Sequence, residues 1–114
     1  MGAEWVRKYC MALPHTTETV QWGANLVFKV GGRIYAITAL EPADHWLSFK
    51  CSLDDFAELV EREGVIPAPY LARAQWVGLQ AEDAVNRTEL RRLLRNAYDL
   101  VFAKLTKKAQ RELR

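Results

Sequence analysis

The sequence predicts a single α+β domain over residues 1–114, an antiparallel sheet of about five strands packed against N- and C-terminal helices, with a further helix between strands. Three observations carry this. Apolar residues recur at helical spacing near both ends of the chain, segments of β-rich residues separated by turn signals fill the middle, and no repeat, low-complexity tract or long linker divides the 114 residues. With 50% hydrophobic and 26% charged residues, a chain of this length forms a core without covalent staples.

Trp5, Val6, Tyr9, Cys10 and Leu13 lie three and four residues apart, which predicts an amphipathic helix over residues 3–13 that Pro14 stops. Thr19 to Trp22 reads as a short strand broken by Gly23. Leu26 to Ile37 reads as a hairpin turning at Gly31-Gly32, because two glycines supply the positive φ that a type I′ turn needs at both central positions. This register pairs Val30 with Arg33, Lys29 with Ile34, Phe28 with Tyr35 and Val27 with Ala36. Phe28, Tyr35, Val30 and Arg33 then share one face, and Lys29, Ile34, Val27 and Ala36 the other.

Trp46 to Cys51 alternates as a fourth strand, with Trp46, Ser48 and Lys50 opposite Leu47, Phe49 and Cys51. Ser52, with Asp55 three residues on, caps a helix whose stripe is Leu53, Phe56, Leu59 and Val60 and which Gly64 ends. Residues 65–75, with Pro67 and Pro69, read as a loop, and Trp76 to Leu79 as a short strand. Asn86 or Thr88 caps the last helix, whose stripe runs Leu90, Leu94, Ala97, Tyr98, Val101, Phe102 and Leu105 and leaves Arg91, Arg92 and Arg95 toward solvent.

Charge is unevenly spread. Residues 1–60 hold five basic and seven acidic side chains, whereas Arg87 to Arg114 hold nine basic and three acidic. Such an end can meet phosphate or simply form a solvated helix face. The only cysteines, Cys10 and Cys51, are 41 residues apart, which makes no disulfide framework or metal-ligand set and suits a reducing compartment. Both read as small buried hydrophobes. Apolar runs are short and no basic segment leads an apolar one, so no membrane partner is expected and a cytoplasmic location is.

Enzyme chemistry finds little purchase. The one glycine pair belongs to a hairpin and does not open a helix, so it makes no phosphate-cradling loop. His15 and His45 read as exposed loop residues without partners at ligand spacing, and no serine sits in a nucleophile elbow. No catalytic residue, metal site or cofactor is assigned. Four tryptophans are many for this length; each reads first as core, with Trp46 and Trp76 the candidates for partial exposure.

Leu13-Pro14, Trp22-Gly23, the block Val27 to Ala36, Phe49-Lys50-Cys51, Pro69-Tyr70, Trp76 and the pattern Ala97-Tyr98-Asp99-Leu100-Val101-Phe102-Ala103-Lys104-Leu105 together resemble the MmcQ/YjbR family over nearly the whole chain. The resemblance implies a CyaY-like fold and a double-wing mode of DNA binding. Members often carry a histidine soon after the tyrosine matched by Tyr70 and another before the tryptophan matched by Trp76. Here Leu71-Ala72-Arg73-Ala74-Gln75 keeps only the basic residue. The iron-holding ridge of frataxin-type relatives of that fold would need clustered carboxylates, and Glu4 and Glu18 alone do not supply them.

The functional expectation is therefore a non-enzymatic DNA-binding or regulatory module. Lys29, Arg33, Lys50 and Arg73 are its candidate contacts to the phosphates of double-stranded DNA, through a basic hairpin and sheet face. The alternative is a protein-interaction or small-ligand module, with Trp46, Tyr70 and Trp76 stacking on the ligand or lining its pocket.

Overall fold

A computed structural model describes residues 2–69 and 71–113, with Arg73 described by its backbone alone. The elements run α1 (Gly2–Met11), β1 (Thr16–Gln21), β2 (Asn25–Val30), β3 (Arg33–Ala39), β4 (Leu47–Lys50), α2 (Leu53–Leu59), β5 (Val65–Pro67), a 3-10 turn (Ala72–Ala74), β6 (Trp76–Leu79), α3 (Arg87–Ala103) and α4 (Lys107–Glu112). All six strands join one antiparallel sheet in the order β1-β2-β3-β4-β6-β5. The predicted α+β class, terminal helices and intervening helix are all present.

Besides the 3-10 turn, two elements go beyond the sequence reading. β5 falls in the stretch read as a loop; it is a three-residue strand at the sheet edge, where Pro67 costs no central ladder bond. α4 falls in the basic tail, capped by the Thr106 hydroxyl, which accepts from the Ala109 N–H. At α3 the cap is Asn86, whose side chain accepts from the Glu89 N–H, and at α2 it is Ser52, accepting from Asp55.

The hairpin turns at Gly31-Gly32 with φ of 59° and 81°, and Val30–Arg33 and Lys29–Ile34 pair as expected. Beyond them the register differs. Phe28 pairs with Ala36 and Val27 with Ile37, because Tyr35 is an extra residue bulged out of β3. The bulge brings Tyr35 and Ala36 together into the core under the helices, correcting the assignment of Ala36 to the opposite face. The Tyr35 hydroxyl shares a 3.0 Å hydrogen bond with Thr16 Oγ1, and its ring meets Tyr98 edge-on. The bulge thus keeps the large ring on the core face and turns the small Ala36 onto it as well, where a flat ladder would have sent Ala36 to the other side.

The main core lies between the sheet and α1 and α3. Phe28, Val30, Leu47, Phe49, Val77 and Leu79 meet Val6, Cys10, Leu90, Leu94, Ala97 and Val101 there. Leu53, placed on the apolar stripe of α2 by its spacing, is instead 69% exposed, since it stands at the first residue of a seven-residue helix. None of the described helices is long and apolar enough to cross a membrane.

Candidate functional site

The sheet face away from α1 and α3 carries polar residues from several strands. Thr17, Thr19 and Lys29 lie there with Ser48, Lys50 and Gly78, as strand alternation requires. The segment between β5 and β6 folds back over part of it, and the Lys50 ammonium donates to the Ala74 carbonyl at 2.7 Å. Lys50 is consequently 8% exposed, an unusual fate for a lysine.

A recess of about 480 Å³ opens beside Lys50. Pairing of β3 with β4 ends at Ala36–Phe49, so the first residues of β3 run on past the end of β4. The Gly31 backbone presses against the end of α3: a Cβ there would fall 2.5 Å from Leu105 Cδ1. Glycine therefore lets the hairpin tip dock on the C-terminal helices, which brings Arg33 and Ile34 of the hairpin together with Val101 of α3 and Lys104 at its C-cap. With Gly32, Lys50, Ala74 and Trp76 these residues line the recess, which among the described residues holds three cations and no carboxylate. Burial pulls the Lys50 ammonium below the usual lysine range, and the neighbouring Lys104 pulls it further.

Several arginines elsewhere are paired with carboxylates, while Arg91 instead lies over the Trp5 ring. Arg7 holds Glu18 by two 2.8 Å hydrogen bonds, Arg62 bridges Glu58 and Glu89, Arg92 meets Asp55, and Arg95 meets Asp99. Among the described residues Lys29, Arg33, Lys50, Lys104, Lys107 and Lys108 make no ion pair with a carboxylate. Lys107 and Lys108 open α4 just beyond Leu105, so cations without carboxylate partners gather around the hairpin tip.

Of the expected site residues, the structure joins Arg33, Lys50 and Trp76 in one recess. Lys29 sits half-buried beside them, paired with Thr17 and Ile34. Tyr70 and the side chain of Arg73 lie outside the described residues. Trp76 is 6% exposed, which corrects the expectation of partial exposure; Trp46 is half-buried, its indole N–H donating to the Ala81 carbonyl at 3.3 Å. The residue that sequence reasoning missed is Lys104. Its position three after Val101 and one before Leu105 was the available signal, hidden while the basic end counted as a solvent face.

A second, more apolar recess of about 530 Å³ lies on the same sheet face. Trp22 and Asn25 stand on one side, Ala68, Pro69 and Leu71 on the other, with Ile37, His45 and Ser48 between. Trp22 is 65% exposed at a backbone φ of 50°, so the most exposed tryptophan is one the sequence reading left in a strand. His45 packs on Gly78, where a Cβ would come within 3.1 Å of the ring, and is half-buried, not exposed as expected. Both thiols are buried and pushed up to about 12, Cys10 by burial and Cys51 by burial with the nearby Asp55 carboxylate. Neither is a thiolate nucleophile at neutral pH.

Comparison with known proteins agrees with this architecture. A search of curated proteins finds no match. The structure of the Deinococcus radiodurans protein DR2400, described as having a DUF419 domain, is 32% identical and superposes with a TM-score of 0.87, over 98% of this chain and 87% of that one. A protein from Pseudomonas syringae, 16% identical, has the same fold with a TM-score of 0.71 over 89% of this chain and 99% of its own. The family model described as YjbR matches residues 11–100. With that match and the relative from D. radiodurans, the chain belongs to the YjbR family.

Proposed function

We propose that the protein is a non-enzymatic nucleic-acid-binding module of regulatory type that grips double-stranded DNA by its phosphates. The observation that carries this reading is the gathering of carboxylate-free cations, Lys29, Arg33, Lys104, Lys107 and Lys108, around the hairpin tip. Carboxylates hold Arg7, Arg62, Arg92 and Arg95 and already neutralise them, so a polyanion gains least from these. The hairpin acts as a wing laid against the backbone. Lys50 is too deeply recessed to lie along a duplex and serves the recess instead.

Fluorescence anisotropy with labelled duplex DNA at several salt concentrations tests this. Binding should weaken steeply with salt, and Lys107→Gln with Lys108→Gln should weaken it while lowering the salt slope by about 2. Duplex affinity indifferent to salt, or to that pair, would overturn the reading. A second reading, a protein-interaction module, is favoured by Trp22, whose exposed indole rims an apolar recess.

A further inference from the structure

We infer that the recess between the hairpin and α3 is a binding site for a nucleoside monophosphate, its phosphate held by Arg33, Lys50 and Lys104 and its base laid against Ile34, Val101 and Trp76. This goes beyond duplex binding and does not rest on it, because a recess cannot admit a double helix.

The lining divides in two. Three cations without a carboxylate among them repel one another until an anion enters, and a phosphomonoester brings up to two negative charges where a carboxylate brings one. An ammonium has three N–H donors, and the Ala74 carbonyl accepts from that of Lys50, leaving donors for a ligand oxygen. A lysine 92% buried is costly to keep charged, and a bound oxyanion offsets that cost. The remaining wall is apolar. Free inorganic phosphate would leave Ile34 and Val101 uncovered, whereas a flat base covers them, and about 480 Å³ lies within the range of small-molecule sites.

The same chemistry arises from a free nucleotide or from the 5′-phosphorylated end of a strand. Isothermal titration of the full chain with adenosine 5′-monophosphate, adenosine and inorganic phosphate tests the site. A single-stranded oligonucleotide with and without a 5′ phosphate then identifies the source. The monophosphate should bind at least about tenfold more tightly than adenosine or inorganic phosphate. A 5′ phosphate that strengthens oligonucleotide binding assigns a strand end, and one that does not assigns the free nucleotide.

Lys50→Met should abolish monophosphate binding. The exposed Lys104→Gln, which leaves the packing intact, should weaken it roughly tenfold. Lys107→Gln with Lys108→Gln lies outside the recess and should leave it unchanged. No binding of the monophosphate up to about 5 mM, equal binding of adenosine, or indifference to Lys104→Gln would each overturn the site. Monophosphate binding without duplex binding would remove the duplex reading alone, and the converse would remove this site alone.

Discussion

The two faces of the sheet make different use of the same strands. Toward α1 and α3, Phe28, Leu47, Phe49, Val77 and Leu79 form one continuous apolar layer. On the opposite face stand Lys29, Ser48 and Lys50, with Ile34 and Ile37 only half-buried and a short irregular segment as partial cover. Antiparallel sheets tolerate this asymmetry because one well-packed face suffices for folding. The consequence is a division of labour. Stability is concentrated under the helices, and the other face is left to hold two recesses. The ion pairs follow the same division: three of them tie α2 and the turn after it to α3 or staple α3 to itself, while the described cations of the hairpin tip make no ion pair with a carboxylate.

The division can be broken most directly by truncation. Phe49→Ala should cost about 3–5 kcal/mol in urea denaturation, and Ile37→Ala on the opposite face only about 1 kcal/mol. Equal costs would mean that the second face is a core in its own right. Next in size is the hairpin turn. Alanine at either glycine pays for positive φ by about 1–2 kcal/mol, but Gly31→Ala also collides with Leu105 while Gly32→Ala meets open space. Gly31→Ala should therefore have the lower melting temperature. Adding Leu105→Ala should bring the Gly31→Ala penalty closer to that of Gly32→Ala; no such coupling would detach the hairpin tip from the C-terminal helices.

A smaller effect sharpens the contrast in charge. Hydrogen bonds from Arg62 hold the Glu89 carboxyl below its ordinary 4.5. Depressed in the fold, it stabilises above that value, and the contribution is lost as pH falls through the folded-state pKa. It amounts to about 1 kcal/mol, discounted for the partial exposure of both side chains. In acid unfolding, Glu89→Gln should start less stable at neutral pH and lose less stability below about pH 4.5 than the parent. A parallel decline would show that the pair contributes nothing. Least change of all is expected at the thiols. With both buried and raised to about 12, neither should react with a disulfide reagent near pH 8 in the folded protein, and both should react once it is denatured.

Most of the fold was legible along the chain because its signals are local. The Gly31-Gly32 turn, the Ser52 and Asn86 caps and the Trp76–Leu79 strand each depend on a few neighbouring residues, and the structure has them at the expected positions. Where the reading slipped, a distant partner decided. The Tyr35 bulge is held by Thr16 and Tyr98, and β5 exists because β6 offers it an edge. Trp22 and Trp76 exchanged their expected exposures for the same reason: an indole has no burial preference strong enough to override where the turn and the strand place it.

The candidate site was legible as residue types and not as a constellation. Sequence alone determined that a glycine turn exists, that Arg33 follows it, that Lys50 alternates onto the face opposite Phe49, and that the last helix ends in lysines, since strand and helix periods are properties of adjacent residues. Only the tertiary structure decided that these meet. Arg33 and Lys104 are 71 residues apart, and nothing short of the tip docking on Leu105 brings them to one recess. It also decided which cations stay available, because an arginine on a helix face is neutralised or not according to the carboxylate that packing carries to it from another element. That pairing depends on separations in space, which no period along the chain encodes.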